Sequence, residues 1–284
     1  MKALQSALAQ TCPPAEIIVV VDGPDPATQS MLQEVRDGRL RVLALQRPVG
    51  GSEARNIGVR AASGKWIAFL DDDDEWLPIK LDRQLTMLPR AGGEPIISCR
   101  FLACTNEGAR IWPVRLPHPV EPVCEYLLTR PGFERTEGFV ATPTILTPRS
   151  LLLRVPLCKG LKKHQDWDWV LRACRAGAEL VFSPEVLVRC EMRTGGSVSR
   201  RADWRSSLGW IHKSAQLVTR RAYGSFIATH VGWQAAAQRD WGAFLPLLRD
   251  AAHNGSLCPV DVLRYLGFWL APAGMRRWLQ RSAP

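Results

Sequence analysis

Four aspartates and a glutamate, Asp71-Asp72-Asp73-Asp74-Glu75, follow directly on the apolar run Lys65–Leu70. Acids this close repel one another, and burial without a cation raises the pKa of some of them. An oxygen-only ligand set suits a hard ion such as Mg²⁺ or Mn²⁺, which in turn recruits phosphate oxygens. The plainer reading is a solvated acidic turn ahead of the helix that starts at Pro78. An EF-hand loop is excluded, because Trp76 stands where that loop requires glycine.

A second acid, Asp22, ends the β-branched run Glu16–Val21 and is followed by Gly23-Pro24. In an open parallel sheet, ligands bind beyond the carboxyl ends of the strands, so Asp22 and the Asp71–Glu75 run are predicted to line one sheet edge. Gly50-Gly51-Ser52-Glu53-Ala54-Arg55-Asn56 opens a helix whose first backbone N–H groups, with Arg55, suit a phosphate. Glycine before a helix is also ordinary turn chemistry. Asp166 and Asp168, in His164-Gln165-Asp166-Trp167-Asp168-Trp169, begin another helix. A carboxylate there can act as a general base, although first-turn acids commonly do no more than complement the helix dipole. On these residues alone the dipole reading is the stronger.

Other chemistries are excluded. Gly58 to Trp66 lacks the spacing and the Ser/Thr of a Walker loop, and no G-x-G-x-x-G follows a strand. No Ser or Cys occupies a strand–turn–helix elbow with a matching His. The eight cysteines form no C-x-x-C pair, which argues against structural zinc.

These residues need a scaffold, and the first hundred residues alternate as β/α units. Helices are predicted over Ala3–Gln10, Pro26–Arg36, Gly50 to Ala62 and Pro78–Leu88. Strands are predicted over Glu16–Val21, Leu40–Leu45, Lys65–Leu70 and Pro95–Cys99. Trp112–Pro122 is too proline-rich for a helix interior or a central strand. Beyond it a strand is expected over Phe139–Leu146, a helix over His164–Ala176, and strands over Leu180–Phe182 and Glu185–Cys190. Four helices follow: Trp204–Thr219, Tyr223–Ala237, Trp241–His253 and Val260–Leu270. The expected architecture is α/β, a mostly parallel sheet flanked by helices. A catalytic domain covers 1–200, and a helical, Trp-rich extension covers 201–284.

The chain has 284 residues and a formal net charge of +10, with an average globular composition. No apolar run approaches the roughly 20 residues of a membrane span. Met1–Gln10 carries no secretory pattern, so the cysteines read as reduced thiols of a cytoplasmic protein. The basic residues are dispersed and match no recognition motif, which argues against specific nucleic-acid binding. Tyr265–Trp278, with aromatics and paired arginines, suits an interfacial helix on the cytoplasmic membrane face, although Pro272 interrupts it and helices closing over the sheet are the stronger reading.

Taken in order, LQSALAQTCPPAEIIVVVDG, GGSEARNIGVRAASGKWIAFLDDDDEWLPIKLDRQLTML and HQDWDWVLRACRAGAELVFSPEVLVRC resemble the family 2 glycosyltransferases over roughly the first 200 residues. The resemblance implies the A-type nucleotide-sugar fold, which is Rossmann-like. It also implies inverting transfer of a sugar from a nucleotide-sugar, a UDP-sugar, to a glycan, lipid-linked or other hydroxyl acceptor, with Mn²⁺ or Mg²⁺. By the same resemblance Asp22 contacts the nucleotide base, and Arg55 and Asn56 match the "ARN" helix near the nucleotide. Asp71 and Asp73 match the D-x-D motif, with Asp71 near the ribose and Asp73 on the metal. Asp166 matches the catalytic base.

Gln165 stands where the family usually has glutamate, Val21 where the first acid of a "DDGS" run is common, and Pro24 in place of its serine. The family opens with a strand of the type VSVIIPTYNR, whereas Met1 falls within the helix that follows it. The expectation is therefore a start further upstream, or a chain short of one internal strand, with ladder groups exposed on both its neighbours. The loops Trp112–Pro122 and Pro131–Pro143 are expected to read the acceptor. Two alternatives stand beside transfer: a truncated, non-catalytic nucleotide-binding relative, and a nucleotidyl- or phosphotransferase built on the same acidic edge.

Overall fold

The computed structural model describes residues 1–88, 93–106, 108–132, 138–192 and 203–271. In chain order it contains α1 (Lys2–Leu8), β1 (Ile17–Val21), α2 (Pro26–Gln33), β2 (Leu40–Ala44), α3 (Gly51–Ala61) and β3 (Trp66–Ala68). Next come β4 (Glu75–Trp76), α4 (Lys80–Leu85), β5 (Pro95–Thr105), β6 (Gly108–Trp112), α5 (Val123–Leu128), β7 (Leu146–Pro148) and α6 (Arg149–Arg154). The chain continues through α7 (Gln165–Arg175), β8 (Glu179–Glu191), α8 (Trp204–Lys213), α9 (Arg220–Phe226), α10 (Gly232–Ala237), α11 (Phe244–His253) and α12 (Pro259–Leu270). These elements divide between two compact units.

Among the described residues, the first unit holds the eight strands with α1 to α4, α6 and α7. Its strands are made by β-branched and aromatic runs, and its helices begin at recognisable caps. Asp25, for example, accepts the Thr28 N–H at 3.0 Å, and Pro26 occupies the first turn of α2. The architecture is α/β, as the sequence predicts, with parallel and antiparallel strand pairs. β1 pairs with β2 and β5 with β8 in parallel, whereas β3–β7, β5–β7, β5–β6 and β4–β8 are antiparallel. The centre is β5, where Ile96, Ile97, Ser98, Cys99 and Phe101 are fully buried.

Two sheets result: β1–β2 on one side, and the order β3-β7-β5-β8-β4 with β6 on β5 on the other. Among the described residues, no strand pairs with the second edge of β1 or with the outer edge of β3. Ile17–Val20 are only half-buried although the run is apolar on both faces. The side that is covered packs β1 and α2 on α1, through Leu4, Val21 and Leu32.

The strand pair expected at 180–182 and 185–190 is one strand, β8. Its register against β5 shifts where Ser183 opposes Cys99 and Val186 opposes Arg100, so Pro184 and Glu185 form a bulge. Proline has no N–H to give the ladder, and a bulge is how a strand passes it. The strand expected over 139–146 is a 3-10 turn at Thr142–Thr144 followed by β7, because Pro143 interrupts the run for the same reason.

The second unit contains α5 and α8 to α12. The helix expected over 223–237 is continuous from α9 to α10 through one π-helical stretch, Ile227–Val231. At Gly232 a Cβ would lie 2.6 Å from the Tyr265 ring, so glycine is what lets α12 approach this closely. Buried Asp261 fixes the start of α12: it accepts the Ser225 hydroxyl at 2.9 Å and the Cys258 N–H at 3.0 Å, and it pairs with Arg221. No described helix is long and apolar enough to cross a membrane. Residues 272–278 of the expected interfacial segment, and 133–137 of the expected acceptor loop, lie outside the described residues.

Candidate active site

The site residues are all in the first unit, at strand ends and helix starts. Asp22 leaves the end of β1, and its carboxylate accepts the Val49 N–H at 2.6 Å and the Gly50 N–H at 2.8 Å. Gly50 has φ +85°, a conformation that favours glycine, and it leads into α3. Asp22 thus ties down the two residues that lead into α3.

One turn into α3 lies Arg55. It donates to Gln165 Oε1 at 3.0 Å through Nη1 and forms an ion pair with Asp71 through Nη2. Gly51 borders this arrangement, since a Cβ there would lie 3.2 Å from Arg55 Nη1 and 3.5 Å from Gln165 Oε1. Asn56 is drawn elsewhere. It is buried, its Nδ2 donates to the Leu157 carbonyl at 2.9 Å, and its Oδ1 accepts the Leu157 N–H at 3.0 Å. Its amide therefore clamps α3 to the segment after α6, and both its polar ends are already occupied.

The acidic run divides its labour by burial. Asp71 is partly exposed, and its carbonyl accepts the Asp74 N–H at 3.2 Å, closing a turn. Asp74 is buried and accepts the Glu191 N–H at 2.9 Å, fastening the turn to the end of β8. Burial pushes its carboxyl up to about 7, against the pull of the Glu191 N–H. Asp73, exposed beside them, is also raised. Burial is the main cause, with Asp72, Asp71 and Glu191 adding negative charge around it. Glu191 therefore joins the acids of this edge. Sequence reasoning passed over it, although it ends a predicted strand just as Asp22 and Asp71 do.

Lys80 was also passed over. This fully buried lysine donates to Gln84 Oε1 at 2.6 Å and lies 4.4 Å from the Trp76 ring. Burial lowers its pKa to about 8.

Asp166 is in the first turn of α7 and accepts the Trp167 N–H at 2.9 Å. Burial raises it to about 6, while the Trp167 N–H and the Arg55 guanidinium favour its ionised form. A carboxylate so placed is ionised at neutral pH and basic enough to take a proton from a hydroxyl. Asp168, two residues on, has a different role: it is buried and pairs with Arg172 at 2.8 Å, four residues along the helix.

Among the described residues, no three His, Cys, Asp or Glu side chains converge to hold a metal by themselves. Mg²⁺ is commonly held by one or two carboxylates completed by substrate phosphates and water. Asp73, an oxygen ligand surrounded by like charges, fits that manner of binding.

The family model "Glycosyl transferase family 2" matches residues 2–154. Among curated proteins, the amylovoran biosynthesis glycosyltransferase AmsB of Erwinia amylovora is 26% identical over 217 residues, covering 72% of this chain and 69% of that protein. The succinoglycan biosynthesis protein ExoO of Rhizobium meliloti is 40% identical over 94 residues, 33% of this chain and 27% of its own. An Escherichia coli protein, the UDP-Glc:alpha-D-GlcNAc-diphosphoundecaprenol beta-1,3-glucosyltransferase WfgD, is 36% identical over 85 residues, 30% of this chain and 34% of its own. Of solved structures, S. aureus TarS 1–349 in complex with UDP-GlcNAc superposes with a TM-score of 0.57 at 16% identity, covering 88% of this chain and 74% of that one. That likeness is one of fold.

Proposed function

The chain belongs to glycosyltransferase family 2, a family of enzymes that transfer glycosyl groups, and from that premise we propose that it moves a sugar from a UDP-sugar to an acceptor hydroxyl with inversion at the anomeric carbon. The observation that carries this reading is Asp166, a carboxylate raised to about 6 in the same group of side chains as Arg55 and Asp71. A nucleotidyl- or phosphotransferase would be served by the acidic edge alone. Attack on an anomeric carbon needs a separate base for the acceptor.

In the proposed step Asp166 accepts the proton of the acceptor hydroxyl as its oxygen attacks the anomeric carbon. The bond from that carbon to the diphosphate oxygen breaks, and UDP leaves with the electron pair. Asp71 lies toward the ribose, Asp22 and the loop it ties lie toward the base, and Asp73 would hold Mn²⁺ or Mg²⁺. Such an ion supplies positive charge against the departing diphosphate.

AmsB and ExoO are named for polysaccharide biosynthesis, and WfgD for transfer to a diphosphoundecaprenol-linked sugar. A lipid-linked sugar is accordingly the proposed acceptor class, met at the cytoplasmic membrane face. Two exposed features favour peripheral membrane contact: Trp241 with Leu245 one turn on, and Leu263 with Leu270 along α12. Co-sedimentation with anionic vesicles supports contact if Leu263→Asp/Leu270→Asp weakens it, and equal binding rejects it.

The enzyme reading is tested by incubating the chain with UDP-sugars and undecaprenyl-diphosphate-linked acceptors. The expected result is UDP release and a product whose anomeric proton coupling shows inverted configuration. A retained configuration contradicts the mechanism, and nucleotide binding without turnover of any donor points to a non-catalytic relative.

A further inference from the structure

Gln165 immediately precedes the proposed base, and its amide has a defined orientation. Nε2 donates to the Leu161 carbonyl at 2.7 Å, which leaves Oε1 to accept from Arg55 Nη1 at 3.0 Å. Turning the amide over would set donor against donor at Arg55 and acceptor against acceptor at Leu161, losing both bonds. The other Nη of Arg55 is held by Asp71. One guanidinium thus joins the end of β3 to the first turn of α7, with Gln165 as its anchor on the α7 side. The absence of a side chain at Gly51 leaves the space in which the two meet.

We propose that Gln165 is a positioning residue for the transfer reaction: its fixed amide holds Arg55 between Asp71 and the first turn of α7, the turn that carries Asp166. This rests on the transfer reading above. The charged groups acting on Asp166 are Arg55 from α3, which favours its ionised form, and Asp71 from the end of β3, which opposes it. A neutral amide suits this task. It binds the guanidinium without adding a second carboxylate to the one that Asp71 already supplies. A glutamate at the same place would pair with Arg55 and set a second carboxylate beside the base. An alanine would leave Arg55 held by Asp71 alone.

Gln165→Glu and Gln165→Ala separate these effects. Asp166 titration is followed by the side-chain carboxyl ¹³C shift in aspartate-labelled protein, and UDP binding is measured alongside by calorimetry. The expected result is an upward move of the Asp166 midpoint by about one pH unit in Gln165→Glu and a smaller upward move in Gln165→Ala. UDP affinity is expected within about threefold of the parent in both. Where transfer is measured, the acid limb of kcat/KM follows the same midpoints, and Gln165→Ala lowers kcat about tenfold with little change in the donor KM.

An Asp166 midpoint unchanged in both folded variants overturns the proposal. That readout does not depend on turnover. Failure of the transfer reading shows itself separately, as absence of UDP-sugar turnover in the parent chain.

Discussion

Arg55 and Gln165 meet at 3.0 Å, Nη1 to Oε1, across elements that the chain places far apart. Because the same guanidinium pairs with Asp71, the acid beyond β3 and the helix turn bearing Asp166 are fastened through one side chain. The nucleotide side and the acceptor side of the proposed reaction therefore share a charged residue. A change on either side is expected to be felt on the other.

Removing the base should separate transfer from binding. Asp166→Asn is expected to lower kcat by roughly 10²–10⁴, the usual contribution of a general base, with UDP affinity within about threefold of the parent. Steady-state kinetics and calorimetry on the same preparation check this. A variant with full turnover removes Asp166 from the mechanism.

The elevated carboxyl predicts a pH profile. In the proposed transfer ionised Asp166 is the working form, so kcat/KM should fall tenfold per pH unit below about 6 and stay level above it.

Stability carries the opposite sign. The folded state holds the Asp166 proton more tightly than the unfolded chain, whose ordinary value is 3.8, so this residue's contribution to stability declines as pH rises from there through about 6. Asp166→Asn should therefore be more stable than the parent at neutral pH by roughly 1–3 kcal/mol, the difference vanishing in acid. Chemical denaturation at the two pH values measures it.

Asn56 should behave as a structural clamp. Asn56→Ala leaves the buried N–H and carbonyl of Leu157 without their side-chain partner, a loss of about 2–4 kcal/mol. UDP affinity of the folded variant should be nearly unchanged. A large loss of affinity at unchanged stability would return Asn56 to the nucleotide site.

At Gly51, packing can be set against function. Alanine is the better helix former by up to about 1 kcal/mol, so Gly51→Ala should fold at least as well as the parent. Its Cβ would nevertheless stand 3.2 Å from Arg55 Nη1 and disturb the pair with Gln165. A several-fold fall in kcat with an unchanged melting temperature is the expected outcome.

The elements that carry the site were legible because local chemistry makes them. Apolar β-branched runs end at acids, and helices open at Gly50 and Pro26, so Asp22, Arg55, Asp71 and Asp166 could be set on strand ends and helix starts from sequence alone. Strand direction was not legible, because it is fixed by pairing at long range: β3 lies antiparallel to β7, a strand of three residues formed far along the chain. Asn56 illustrates the same limit within a motif. Its neighbour Arg55 faces the site, but Asn56 is held by Leu157, 101 residues along the chain. Lys80 gave no sign in sequence, since a lysine on a helix is ordinarily solvated and only the fold encloses this one.

The central claim is a donor site in which Asp73 holds a divalent ion against the UDP diphosphate. It is tested most directly by calorimetric titration of UDP into the chain with and without Mn²⁺, repeated with Asp73→Ala. The account predicts UDP binding that Mn²⁺ strengthens at least tenfold in the parent, and no such strengthening in Asp73→Ala. UDP binding indifferent to Mn²⁺, or strengthened equally in the variant, would contradict it.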